Sequence, residues 1–83
     1  MRYFMQEQQK TYFHKYLHKW LRDTGEARSV LWTKLNIHES TLSKWLSATR
    51  IPSAGAIKNA IMILHDTEEE RADALWFVYF GGK

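Results

Sequence analysis

His14 and His18 stand four positions apart, the spacing that sets two imidazoles on one face of a helix within reach of one zinc ion. No third ligand sits nearby in sequence, and Lys15 and Lys19 beside them repel a cation, so a metal site is not expected. Five carboxylates gather between Asp66 and Asp73, a density that suggests paired acids and bases. Helix capping explains them better. Thr67 with Glu70 forms a capping box, and Glu68, Glu69 and Glu70 suit the positive end of a helix dipole. His38 reads as a turn or cap residue and His65 as the end of a helix. The chain lacks cysteine, which removes disulfides and thiolate ligands. It has no glycine-rich phosphate loop and no nucleophile beside a base. Neither an enzyme nor a cofactor is expected.

The cations carry more information. The 83 residues have a net charge of only +3, but the charge is unevenly spread. Up to Lys58 there are ten bases against four acids, and from Asn59 onward two bases against five acids. A basic front with an acidic rear suits a molecule that offers one side to a polyanion. Size and composition fit one folded domain with a modest core. No apolar run is long enough to cross a bilayer. The opening Met1–Met5 turns polar at once and lacks the apolar stretch of a secretion signal, so a cytoplasmic location is expected.

Five helical blocks must position these groups. Phe13, Leu17, Trp20 and Leu21, with Tyr16 beside them, form the stripe of a helix from about Gln6 to Arg22, closed by Gly25. A short block from about Ala27 to Leu35 turns Val30, Leu31 and Leu35 inward. Asn36 ends it in a left-handed conformation, and Ile37 pins the turn. A third block, about Glu39 to Ser47, buries Leu42, Trp45 and Leu46. Pro52 disfavours helix at Ile51, and Ser53 caps a fourth block whose core face is Ala56, Ile57, Ala60, Ile61 and Leu64. A fifth runs from Glu68 to about Phe80. Its aromatic close either stays helical or ends in a short strand, and Gly81 to Lys83 read as a frayed tail.

The stretch from Arg28 to Pro52 resembles the Cro/repressor (xenobiotic-response-element) helix-turn-helix family. The matching residues are Leu31, Leu35, Ile37, Ser40, Thr41, Leu42, Ser43, Lys44, Trp45, Arg50 and Pro52. The match has departures. Trp32 stands where the family prefers a small residue, and Asn36 and Ala48 where it prefers glycine. Leu46 replaces a frequent glutamate and Arg28 a frequent glutamine.

The resemblance implies an all-α, compact five-helix lambda-repressor-like domain spanning residues 1–83, with the helix-turn-helix at about 28–52. In such a motif the second helix enters the major groove with its N-terminal residues toward base edges. Carried over by position, Glu39, Ser40 and Lys44 are the candidates for base contact, with Thr41 and Ser43 beside them. Arg28, Ser29, Lys34, Thr49, Arg50 and Ser53 are the candidates for phosphate contact. Glu39 is the residue that fits a polyanion least.

The implied function is that of a sequence-specific transcriptional regulator, a phage or bacterial repressor acting on double-stranded DNA. Four tryptophans exceed what so small a core needs, so Leu75, Trp76, Tyr79 and Phe80 are expected either to form a homodimer interface or to close over the first helix. The alternative function is a protein-binding antirepressor or modulator of a partner regulator, or an antitoxin, that keeps the fold.

Overall fold

The computed structural model describes residues 11–81. Five helices follow in order: α1 Phe13–Thr24, α2 Arg28–Leu35, α3 Glu39–Leu46, α4 Ala54–Leu64 and α5 Glu68–Phe80. No strand occurs among the described residues. All five blocks read from the sequence are helices, and α5 remains helical to its end.

The helix ends follow from the residues placed there. Gly25 and Gly81 close α1 and α5 at φ of 71° and 79°, and Asn36 closes α2 at 56°. Glycine adopts this left-handed geometry at little cost, and asparagine tolerates it. Ser53 Oγ accepts from the Ala56 N–H at 3.1 Å, and Thr67 Oγ1 from the Glu70 N–H at 3.1 Å. Each side chain satisfies one donor that a helix start leaves open.

The start of α1 differs from the expectation. Thr11 and Tyr12 are not helical, so the helix begins at Phe13 and not at Gln6; residues 6–10 lie outside the described range. Two bonds, one local and one distant in sequence, favour this start. The Phe13 N–H reaches Thr11 Oγ1 at 3.4 Å, and the Tyr12 N–H donates to the Val78 carbonyl at 2.7 Å. The second bond ties the chain before α1 to the last turns of α5.

α1 packs on both α3 and α5, α4 packs on α5 and α2, and α2 packs on α3. Phe13, Leu17, Leu31, Leu42, Ile57, Ile61 and Val78 are almost wholly buried where these helices meet. Leu35, Trp45 and Leu46 join them as expected, whereas Val30 is only half-buried. Ile37 packs against this core from the α2–α3 turn. Burying a leucine, isoleucine or phenylalanine contributes about 1.5–3 kcal/mol each, so this set supplies most of the gross driving force.

α5 closes over α1 through Ala74 and Val78, while Leu75, Trp76 and Phe80 stay on its outside. Of the four residues expected to form a dimer interface or close over the first helix, only Tyr79 packs against the core; the other three are exposed. Trp20 and Trp32 pack at the margin of the core and Trp45 within it. Trp76 is 52% exposed and is not a core residue.

Polar side chains join α1, α4 and α5. Tyr16 Oη lies 2.7 Å from His65 Nε2, and His65 Nδ1 lies 3.6 Å from Glu70 Oε1. With the phenol donating, neutral His65 carries its proton on Nδ1, toward the carboxylate. Arg71 donates to the His65 carbonyl at 2.9 Å and to the Met62 carbonyl at 3.2 Å, closing the C-terminal end of α4.

Burial raises the Tyr16 hydroxyl well above its ordinary value of 10.0. The unfolded chain therefore ionises first as pH rises. The stability this phenol contributes is complete below that ordinary value and is lost progressively above it. Urea midpoints measured between about pH 9 and 11 should fall with pH, and Tyr16→Phe should flatten that fall. An equal slope in both proteins would contradict this origin.

Candidate nucleic-acid interface

The α2–α3 pair is set by its turn. Asn36 takes the left-handed step, the Ile37 N–H donates to the Trp32 carbonyl at 3.0 Å, and Ile37 reaches the core. His38 then caps α3. Its Nδ1 accepts the Ser40 backbone N–H at 3.1 Å, and Ser40 Oγ lies 2.9 Å from the same nitrogen. An accepting ring nitrogen is unprotonated, so neutral His38 holds its proton on Nε2.

α3 has two unlike sides. Leu42, Trp45 and Leu46 are buried. Glu39, Ser40, Ser43, Lys44 and Ser47 are exposed, and their spacing puts them on the opposite side of the helix. Trp45 meets Phe13 of α1 edge-on, with ring centroids 5.6 Å apart, and His18 Nε2 lies 2.9 Å from the Leu46 carbonyl. These contacts hold α3 against α1 and leave its polar side outward. His18, read as one half of a two-histidine pair, is engaged here with the α3 backbone. The Trp45 indole N–H is buried without a hydrogen-bond partner, a cost of about 1–3 kcal/mol.

The five candidates for base contact are not equivalent. Glu39, Ser43 and Lys44 are exposed. Ser40 is exposed too, but its hydroxyl is engaged with His38. Thr41 is half-buried on the flank of the helix, and its N–H donates to the His38 carbonyl. Lys44 thus gives the polar side of α3 its single cation.

Further cations flank it. Arg28 opens α2 and Lys34 stands in its last turn; both are exposed, as is Ser29. Ala27 provides no side-chain cap for α2; the Val30 N–H donates to the Ala27 carbonyl at 3.1 Å, and the Arg28 and Ser29 N–H groups precede it in the first turn. Beyond α3, the Lys44 carbonyl accepts the N–H groups of Thr49 at 3.0 Å and Arg50 at 3.3 Å. That folds the exit back on the helix end and keeps Thr49 and Arg50 on the surface. Ser53 is exposed, with its oxygen committed to the α4 cap.

Sequence reading missed two features. Arg71 reads as an ordinary surface base, yet it closes α4. The second is a cleft between α1 and α5, lined among others by Tyr16, Trp20, Asp73 and Phe77. Neither has a local signal, because each depends on how distant helices pack. No family model, no curated protein and no solved structure matches the chain.

The exit from α3 carries one backbone cost. Ala48 sits at φ 63°, where a Cβ crowds the carbonyl. Ala48→Gly removes that crowding and gives back part of the gain through a looser unfolded chain. Urea denaturation should show a net stabilisation of about 0.5 kcal/mol, with the helical spectrum unchanged. A clear loss of stability would show that the left-handed turn is not a source of strain.

Proposed function

We propose that the chain is a helix-turn-helix transcriptional regulator that places α3 in the major groove of double-stranded DNA. The observation that carries this reading is the outward side of α3. It is polar, has no part in the core, and is flanked by Arg28 at the start of α2 and Arg50 past its own end. Lys44 is the residue best suited to guanine O6 or N7, and Ser43 can donate or accept beside it. Arg28, Lys34 and Arg50 neutralise phosphates, and the open first turn of α2 adds N–H donors. Ser40 and Ser53 act first as parts of caps, so their contribution to affinity is smaller than their position in the motif suggests.

In this reading the protein binds as a dimer through the outer side of α5. The Trp76 and Phe80 rings lie 4.3 Å apart in a tilted pair and are more than half exposed, with Leu75 beside them. Two copies would read two half-sites of a palindrome, and occupancy of a promoter would repress it by steric exclusion. A second reading, a module that binds a partner regulator or a toxin, draws on two facts. Glu39 is exposed on the same side of α3 as Lys44, and the Trp76–Phe80 pair offers a ready anchor.

Fluorescence anisotropy against a duplex library that includes the gene's own upstream DNA, at two salt concentrations, tests the first reading. Selective binding should weaken about ten-fold or more as salt rises from roughly 50 to 200 mM. It should fail in the double variant Lys44→Ala, Arg50→Ala. A folded protein that binds no duplex at low salt overturns the reading. Sedimentation at about 50 µM should show a dimer that Trp76→Ala with Phe80→Ala dissociates. A wild-type monomer, alone and on DNA, would remove the dimer.

A further inference from the structure

We propose that the cleft between α1 and α5 binds a small lipophilic organic cation. Its volume is about 580 Å³, and Tyr16, Trp20, Trp76 and Phe77 contribute ring surface to its lining. Glu70 and Asp73 contribute carboxylates. A third acid, Asp23, lines it together with Lys19, but these two hold each other at 2.6 Å and largely cancel. Asp73 makes no ion pair among the described residues.

The combination defines the ligand. Aromatic rings attract a cation through their quadrupole, and do so more strongly when water is excluded. The exposed carboxylates at the cleft rim add a Coulomb attraction that solvent screens in part. A neutral apolar molecule would use the rings and waste the carboxylates, and an anion would be repelled. A bare metal ion gains nothing from ring walls, and no group of three metal ligands occurs among the described residues. The volume exceeds what one lysine or arginine side chain fills and lies within the roughly 300–1,000 Å³ of small-molecule sites.

The cleft is separate from the α2–α3 face. All of its lining residues come from α1, α5 and the end of α4. The cation site therefore stands whether or not the chain binds DNA. An aromatic path nevertheless leads away from it: Tyr16 stacks on Phe13 at 5.8 Å, and Phe13 meets Trp45 of α3 at 5.6 Å.

The test uses two ions of nearly identical shape and opposite charge, tetraphenylphosphonium and tetraphenylborate. They are titrated calorimetrically into the full chain without DNA, in sodium buffer. The net charge of +3 favours the borate wherever binding is nonspecific. The phosphonium should nevertheless bind about ten-fold tighter than the borate. The exposed Asp73→Asn should weaken phosphonium binding by about three-fold or more, and Trp20→Leu by a similar factor. Lys44→Ala, outside the cleft, should leave it unchanged. Equal or tighter binding of the borate overturns the proposal. So does phosphonium binding that Asp73→Asn leaves intact, since the cation would then be adhering to an apolar surface outside the cleft. Because Asp73 lies on the surface, that variant keeps the test decisive if Trp20→Leu does not fold.

Discussion

The direction of α3 depends on a three-ring contact beneath it. Phe13 stacks on Tyr16 within α1 and meets Trp45 of α3 edge-on. Such a contact is directional as well as apolar, because rings favour offset or edge geometry. It fixes α3 in rotation about its own axis and so decides which residues face outward. With Trp45 held inward, Glu39, Ser43 and Lys44 have only solvent in front of them. The His18–Leu46 hydrogen bond acts in the same sense at the same, C-terminal end of α3. The polar side of α3 is thus imposed by the core beneath it.

α1 supports two surfaces at once. One of its flanks carries α3, another faces α5 and the cleft, and Tyr16 belongs to both settings through Phe13 and His65. The acids of α5 serve the helix start and also give the cleft its charge. Acids are densest at the start of α5, although Arg71 shares that helix and Asp23 and Glu39 lie on α1 and α3. No charged residue is buried among those described, so the uneven spread of charge along the chain involves no buried ion pair.

Much of this was legible in the residues. Gly25, Asn36, Ser53 and Thr67 are local signals, and each ends or begins a helix where its chemistry demands. The buried stripe of α3 was legible for the same reason, since helical spacing alone separates Leu42, Trp45 and Leu46 from their polar neighbours. The start of α1 was not, because a backbone bond to a residue near the other end of the chain decides it. Short polar residues were ambiguous in another way. Serine can cap a helix or reach a ligand with the same oxygen, and only the geometry at Ser40 and Ser53 shows the cap. The exposure of Trp76 and the cleft beside it were hidden, since both depend on which side of α5 meets α1.

The bond from Tyr12 to Val78 also bears on how the chain acquires its structure. Gly81 belongs to the same junction, for a Cβ there would meet the Tyr12 ring at 3.3 Å. A ribosome delivers α1 first and α5 last. Until α5 emerges, the flank of α1 that carries Leu17 and Tyr16 lacks one of its walls, and the start of that helix lacks its anchor. Closing so long a loop costs entropy before the contact returns any enthalpy. The junction between α1 and α5 is thus completed only once the last turns of α5 are made. A chain shortened by those few residues would lose both ends of the structure together, and with them the support that orients α3.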